Sequence, residues 1–220
     1  MSDAWRILHK DLVLELRTRE ALSGLAVLML LILLTFTFAL DPQGAGAAAP
    51  AVQWVTFIFA GLMAIQRAFL VERENGAWYG LLLCPIDRGA IFVAKMASNV
   101  IVLGAAQIVL LALLALFLGV SVPAAPLALL LVNVLGLIGF SALATLFAAI
   151  SVRLRAREMM LPLLVLPLLV PLVICAVEAS RVVMAGGTVA SAGAWIRVLA
   201  TFDVIFSVAG WMIFEQLVQE

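Results

Sequence analysis

The chain is punctuated by apolar stretches, each about long enough to cross a bilayer, and this limits what it can fold into more than any single motif does. Six are legible, near 22–40, 51–71, 94–118, 127–150, 160–177 and 196–217. A span needs roughly 20 predominantly apolar residues. Hydrocarbon offers a backbone no hydrogen-bond partner, so each stretch must close its own hydrogen bonds as a helix. Composition agrees with this. Two-thirds of the 220 residues are apolar and 12% are charged, with a mean hydropathy of +1.24, whereas soluble domains are about half apolar and a quarter charged. The fold class expected is an all-α membrane protein of six transmembrane helices, preceded by an amphipathic helix over residues 1–20. Residues 21–220 then form the membrane domain. The first apolar run follows some twenty residues of mixed charge and is longer than a signal core, so it reads as a retained span.

The connections carry turn chemistry. Asp41–Pro50 reads as a Gly/Ala/Pro connector and Ala185–Gly193 as a Gly/Ser/Thr loop. Eleven of the thirteen Lys and Arg fall in the N-terminal segment, the second connection (Arg67, Arg73, Arg88, Lys95) and the fourth (Arg153, Arg155, Arg157). Arg181 and Arg197 alone lie on the other side. The positive-inside rule then puts both termini in the cytoplasm. Net charge is zero, which gives nucleic acid no electrostatic footing as a partner.

Within the first twenty residues, Trp5, Leu8, Leu12 and Leu16 share one helical face beside a stripe of Arg6, Lys10 and Arg17, with Asp11 and Glu15 opposite that stripe. Such a helix anchors at a membrane surface, and it also suits packing against a cytoplasmic partner. The segment from Arg67 to Lys95 alternates charged turns (Glu72, Arg73, Glu74; Asp87, Arg88) with a short apolar stretch containing Trp78, Tyr79 and Leu82 and a break at Pro85. It reads either as an interfacial helix with snorkelling arginines or as a projection that another protein can grip.

Asp203 stands out inside the sixth span. A carboxylate at the bilayer centre costs about 2.5–3.5 kcal/mol on insertion scales, so it must face protein or a water-filled cleft. It either lines a transport path or serves as a structural partner, for a neighbouring helix or for Arg197. Glu178 and Arg181 can pair at i, i+3, and Asn99, Gln107 and Asn133 suit hydrogen bonds between helices. Pro167 and Pro171 interrupt the fifth span, as packing curvature or as a hinge, while Pro162 sits near its start.

Catalytic signatures are missing. The chain has no phosphate-binding loop of the Gly-x-x-x-x-Gly-Lys-Ser/Thr type, no His-Glu-x-x-His and no Gly-x-Ser-x-Gly elbow. Its one histidine, His9, lies outside the spans. Cys84 and Cys175 form neither a disulfide framework nor a metal spacing. A non-catalytic membrane subunit is expected, with no cofactor bound directly.

Glu72, Glu74 and Gly76, followed by Leu82, Pro85, Arg88 and Lys95, resemble the first cytoplasmic loop of six-helix ABC exporter permeases. Three further matches narrow the resemblance to CcmB, the haem exporter B family of cytochrome c maturation. They are Trp5, Arg6, Lys10, Asp11 and Leu12 at the opening, Trp54-Val55 with Arg67 and Phe69 in the second span, and the proline-bearing stretch from Val165 to Ile174. Gln66 departs from the pattern, standing where an acidic residue precedes the arginine. The resemblance implies a homodimer in the bacterial inner membrane that pairs with an ATPase subunit, CcmA, which binds ATP, and works with CcmC, CcmD and the haem chaperone CcmE. It makes haem the expected cargo or haem-chaperone release the expected output. Glu72, Glu74, Gly76, Leu82, Pro85 and Arg88 become the ATPase-coupling segment, with Arg153, Arg155 and Arg157 as a second contact and Asp203, Pro167 and Pro171 as gating elements. Another cargo (lipid, drug or glycan) and a non-transporting scaffold are the competing readings.

Overall fold

The computed structural model describes residues 3–18, 20–74, 76, 86–120, 125–153 and 160–217. Seven helices account for nearly all of them: α1 (Asp3–Thr18), α2 (Glu20–Ala39), α3 (Pro42–Glu74), α4 (Arg88–Leu118), α5 (Pro126–Arg153), α6 (Met160–Met184) and α7 (Gly193–Leu217). Helices α2 to α7 each contain a segment long and apolar enough to span a membrane. The first of these six, α2, is expected to run inward to outward, so the ends joined by 75–87 and 154–159 share a side with both termini. That side carries most of the Lys and Arg and is called the basic face below.

The helices outrun the apolar stretches that announce them. The segment 42–50, expected as a connector, is the first part of α3. Pro42 occupies the first helical position, where a missing N–H costs nothing, and the Asp41 carbonyl accepts from Gly44 at 2.9 Å and Ala45 at 3.1 Å. The alanines that follow are strong helix formers and carry the helix through Gly46 and Pro50. Likewise α4 begins at Arg88, not near Ala94. The Asp87 side chain caps it by accepting from the Gly89 N–H at 3.3 Å. Lys95, counted in the second connection by sequence, is therefore two turns inside a spanning helix. At its far end α6 closes on Gly186, whose φ of +91° is natural only to glycine. There Gly187 N–H donates to the Val182 carbonyl at 2.9 Å and Gly186 N–H to that of Val183 at 3.1 Å, a Schellman ending.

Helix α5 is the hub. It packs against α3, α4, α6 and α7, and 67% of its span is buried inside the bundle, against 17% for α2. Without water to drive apolar faces together, helices in lipid associate by close packing, which small residues permit. Glycines meet aromatics reciprocally at two interfaces. Between α3 and α5, the Trp54 indole lies on Gly136 and the Phe140 ring lies on Gly61. Phe57 joins the two rings edge-on, 5.7 Å from Trp54 and 5.2 Å from Phe140. Between α4 and α7, Trp211 lies on Gly89 and Phe92 lies on Gly210, with Phe214 tilted against Phe92 at 5.7 Å. A side chain on any of these four glycines would occupy space the ring already fills.

Gly136→Leu should expel Trp54 and lower stability by about 1–3 kcal/mol, the usual cost of overpacking. Gly44→Ala, where an added methyl meets nothing within 4 Å, should not lower stability and should raise it by up to about 1 kcal/mol, the helix-propensity gain of alanine over glycine. Unfolding followed in mixed micelles compares the two.

Candidate functional site

Three groups of residues carry chemistry that packing alone does not require. The first lies at the basic face. Glu72 and Glu74 are in the last turn of α3. Gly76 follows in an exposed turn with φ +68°, a left-handed position that ends a helix without strain. The chain re-enters the described region at Ile86 and Asp87, and Arg88 opens α4 half-buried, with its Nη1 buried and without a hydrogen-bond partner among the described residues. Leu82 and Pro85, and the short apolar stretch with Trp78 and Tyr79, fall outside the described residues, as do Arg155 and Arg157. Arg153 is the last residue of α5. The segment between Glu74 and Asp87 is thus bounded by one helix ending and one helix beginning.

What lies beneath that segment makes it mechanically connected. The first turn of α4 is locked to α7 through Gly89 on Trp211 and Phe92 on Gly210. On its other side α4 holds α1 through an ion pair: Lys95 Nζ is 2.8 Å from Asp11 Oδ2, with the two side chains 6% and 11% exposed. Ile7, also on α1, is buried in the core. The protein-facing side of α1 is therefore Ala4, Ile7, Leu8, Asp11, Leu12 and Glu15, while Trp5 is 52% exposed. Of the apolar face read from the sequence, Trp5 is exposed and Leu8 and Leu12 are half-buried at its edge. Amphipathicity marked the apolar stripe, but a buried lysine on α4 draws the acidic stripe inward, because a buried ammonium demands a counter-charge.

The second group is a polar knot in the half of the bundle away from the basic face. Asn133 Oδ1 on α5 accepts from Gln53 Nε2 on α3 and from Gln107 Nε2 on α4, at 2.6 Å each, and its own Nδ2 donates to the Leu129 carbonyl at 2.8 Å. At the next residue of α3, Trp54 Nε1 donates to Ser180 Oγ of α6 at 2.9 Å. Nearer the basic face, Asn99 Nδ2 donates to Thr145 Oγ1 at 2.8 Å. Asn99, Gln107 and Asn133 join helices as expected. Gln53 was missed, although an amide inside an apolar run is a legible signal.

The third group is Asp203 with the prolines of α6. Asp203 is 6% exposed, and neither carboxylate oxygen meets a hydrogen-bond partner among the described residues. The carboxylate lies against Gly139 of α5, with Leu172 of α6 beside it. Arg197, one of the structural partners considered, is instead exposed and donates from Nε to the Gly193 carbonyl at 3.2 Å, because its side chain turns toward the helix end, away from the core. Glu178 and Arg181 pair as expected, at 2.7 Å. Pro167 and Pro171 are on the exposed side of α6. Pro167 helps line an apolar groove of about 560 Å³ with Val170 and Ile174 of α6 and Val55, Ile58 and Phe59 of α3. Pro167 thus helps shape an outward-facing groove, and Pro171, one turn on, is likewise exposed.

The architecture is that of a multi-pass α-helical membrane protein with six helices long and apolar enough to span. The chain matches the CcmB protein family over residues 2–213. It is 33% identical over 177 residues to heme exporter protein B of Rhodobacter capsulatus, covering 80% of this chain and 81% of that one. It is 31% identical over 177 residues to heme exporter protein B of Paracoccus denitrificans, with the same coverage. The corresponding protein of Haemophilus influenzae is 29% identical over 74% of this chain and 72% of its own. The chain belongs to the CcmB family.

Lys95→Met should leave Asp11 with only the half-exposed Lys10, 3.1 Å from its Oδ1, and destabilise the protein by up to about 3 kcal/mol, the cost typical of breaking a buried pair. The double variant Asp11→Asn/Lys95→Met should recover most of that loss. A double-mutant cycle measured by thermal unfolding checks this, and additive losses would show the pair to be uncoupled.

Proposed function

We propose that this protein is the permease subunit of an ABC transporter of cytochrome c maturation, set in the bacterial inner membrane with its basic face in the cytoplasm. Two copies pair with a separate ATPase subunit of the CcmA type, and hydrolysis there drives haem export or the release of a haem-loaded chaperone of the CcmE type. CcmC and CcmD are the further partners that membership of this family brings. Family membership supports the cargo, since the relatives named above are heme exporter proteins. The alternative cargoes and the scaffold reading have no observation in their favour.

The observation that carries the coupling part is the contact between the start of α4 and the end of α7. In this reading the ATPase grips the segment from Glu72 to Arg88, with Leu82 and Pro85 at its centre, and Arg153, Arg155 and Arg157 make a second contact. Because Gly89 and Phe92 are in van der Waals contact with Trp211 and Gly210, a displacement of Arg88 cannot be absorbed at that junction and passes into α7. Two turns along α7, about 12 Å on, sits Asp203 against Gly139. A carboxylate left without a partner in the resting bundle is stabilised when the α5–α7 contact loosens and water enters, so Asp203 favours the open arrangement. The groove at Pro167 supplies an apolar outer surface for lipid or for the second copy.

The triple variant Glu72→Lys/Glu74→Lys/Arg88→Glu should fold and insert but lose the ATPase subunit when co-purified from membranes. Retention of the ATPase by that variant would remove the coupling assignment. Haem-chaperone release measured with an intact complex but an inactive ATPase separates transport from scaffolding: release should stop.

A further inference from the structure

The groove between α3 and α6 is narrow, and one end of it is charged. It runs beside α6 from Leu166 to Ile174, eight residues or about 12 Å. Every side chain that lines it is apolar. Its volume of about 560 Å³, spread over that length, gives a trough of about 50 Å² in section. A helix with its side chains is about 10–12 Å across, roughly twice that section, so no helix lies within the trough. A two-fold axis through this face would set groove against groove, concave on concave, and leave the space unfilled. A single extended hydrocarbon chain has the right width.

The exposed side of α6 carries the groove outward to two opposite charges. Pro167, Val170, Ile174, Glu178 and Arg181 follow at spacings of three and four residues, one face of a helix. Glu178 and Arg181 stand about 6 and 10 Å beyond Ile174, within the last two turns of α6 and on the side remote from the basic face. Arg181 Nη1 lies 2.7 Å from Glu178 Oε1, with the side chains 54% and 31% exposed. The pair carries no net charge, and each partner answers the other. A guanidinium has five N–H donors and a carboxylate about four acceptor positions, so this one contact leaves both groups able to meet a further polar ligand. An apolar trough at acyl depth thus continues into a plus–minus pair at headgroup depth.

We infer that the groove holds one acyl chain of a phosphatidylethanolamine whose headgroup lies over the Glu178–Arg181 pair, phosphate toward the guanidinium and ammonium toward the carboxylate. Charge complementarity selects a zwitterion, because an anionic headgroup would meet Glu178 as well as Arg181. The ammonium N–H groups select ethanolamine over choline, whose nitrogen carries only methyl groups and cannot donate to Glu178. The site requires only that the chain span a bilayer, and it is independent of the ATPase reading.

The test is photo-crosslinking of the full-length protein reconstituted in phosphatidylcholine vesicles. The vesicles carry a trace of phosphatidylethanolamine or phosphatidylcholine with a diazirine in the middle of one acyl chain. Mass spectrometry reads label at Phe59, Val170 and Ile174 relative to Val27 and Leu31, which are 67% and 61% exposed on α2 and report ordinary lipid contact. The ethanolamine probe should label the groove several-fold above α2 and above the choline probe. Glu178→Gln should bring the two probes level. Arg181→Gln should lower groove labelling by both, by up to about fivefold, the most that an exposed ionic contact contributes. Val170 is 49% exposed, so Val170→Trp fills the trough without entering the core; it should abolish groove labelling and leave α2 labelling intact. Groove labelling no greater than that of α2, or equal labelling by the two probes in the unaltered protein, would overturn the inference. An unlabelled groove together with conversion of a dimer to a monomer by Val170→Trp would overturn it in favour of a second copy.

Discussion

Close approach of helices around α5 is the constraint on which the rest of the structure rests. In lipid, apolar side chains gain little by leaving their solvent, so contact must come from shape and from polar groups that have nowhere else to go. Gly136 and Gly139 let Trp54 and the Asp203 carboxylate reach the α5 backbone, and Gly61 receives Phe140 in return. That proximity places Gln53, Gln107 and Asn133 within hydrogen-bonding distance. The polar knot is thus a consequence of the small residues, and it specifies register where apolar packing alone would tolerate sliding.

The same logic gives the two halves of the bundle different characters. Away from the basic face, α3, α4, α5 and α6 are cross-linked by amide and indole hydrogen bonds and should move together. At the basic face the contacts of α4 and α7 are aromatic rings on glycines, and α1 is held by one buried ion pair. Rings on glycine transmit displacement well but have no directional bond to break. In the proposed coupling, an input at Arg88 would travel along α4 and α7, with the hydrogen-bonded half as the fixed point.

Much of this was legible in the residues, and the failures have physical causes. Hydropathy located all six spans because hydrocarbon permits little else. It misplaced their ends, since Pro42 at a helix start and an alanine-rich first stretch look like a loop to a reader of glycines and prolines. Lys95 was read as a loop charge, and only the position of Asp11 on a separate helix reveals that it is buried and paired. For the same reason the inward turn of Asp11 could not be read from the amphipathic pattern of α1 alone. Asp203 was recognised as costly from its position alone, yet its neighbours, Gly139 and Leu172, are distant in sequence and nothing in the sequence predicts that Arg197 turns away. The glycine–aromatic pairs left no local pattern, because each joins two helices far apart in the chain.

The central claim is that the segment between α3 and α4 is presented to the cytoplasm as the grip for a separate ATPase. Cys84 lies in that segment, and Cys175 is buried within α6, so a Cys175→Ser chain carries a single reporter. Labelling it with a membrane-impermeant thiol reagent is the most direct measurement. The reagent should fail to modify Cys84 in intact spheroplasts and should modify it in inverted membrane vesicles, less so when the ATPase subunit is bound. Modification in intact spheroplasts would put the segment on the far side of the membrane and contradict the account.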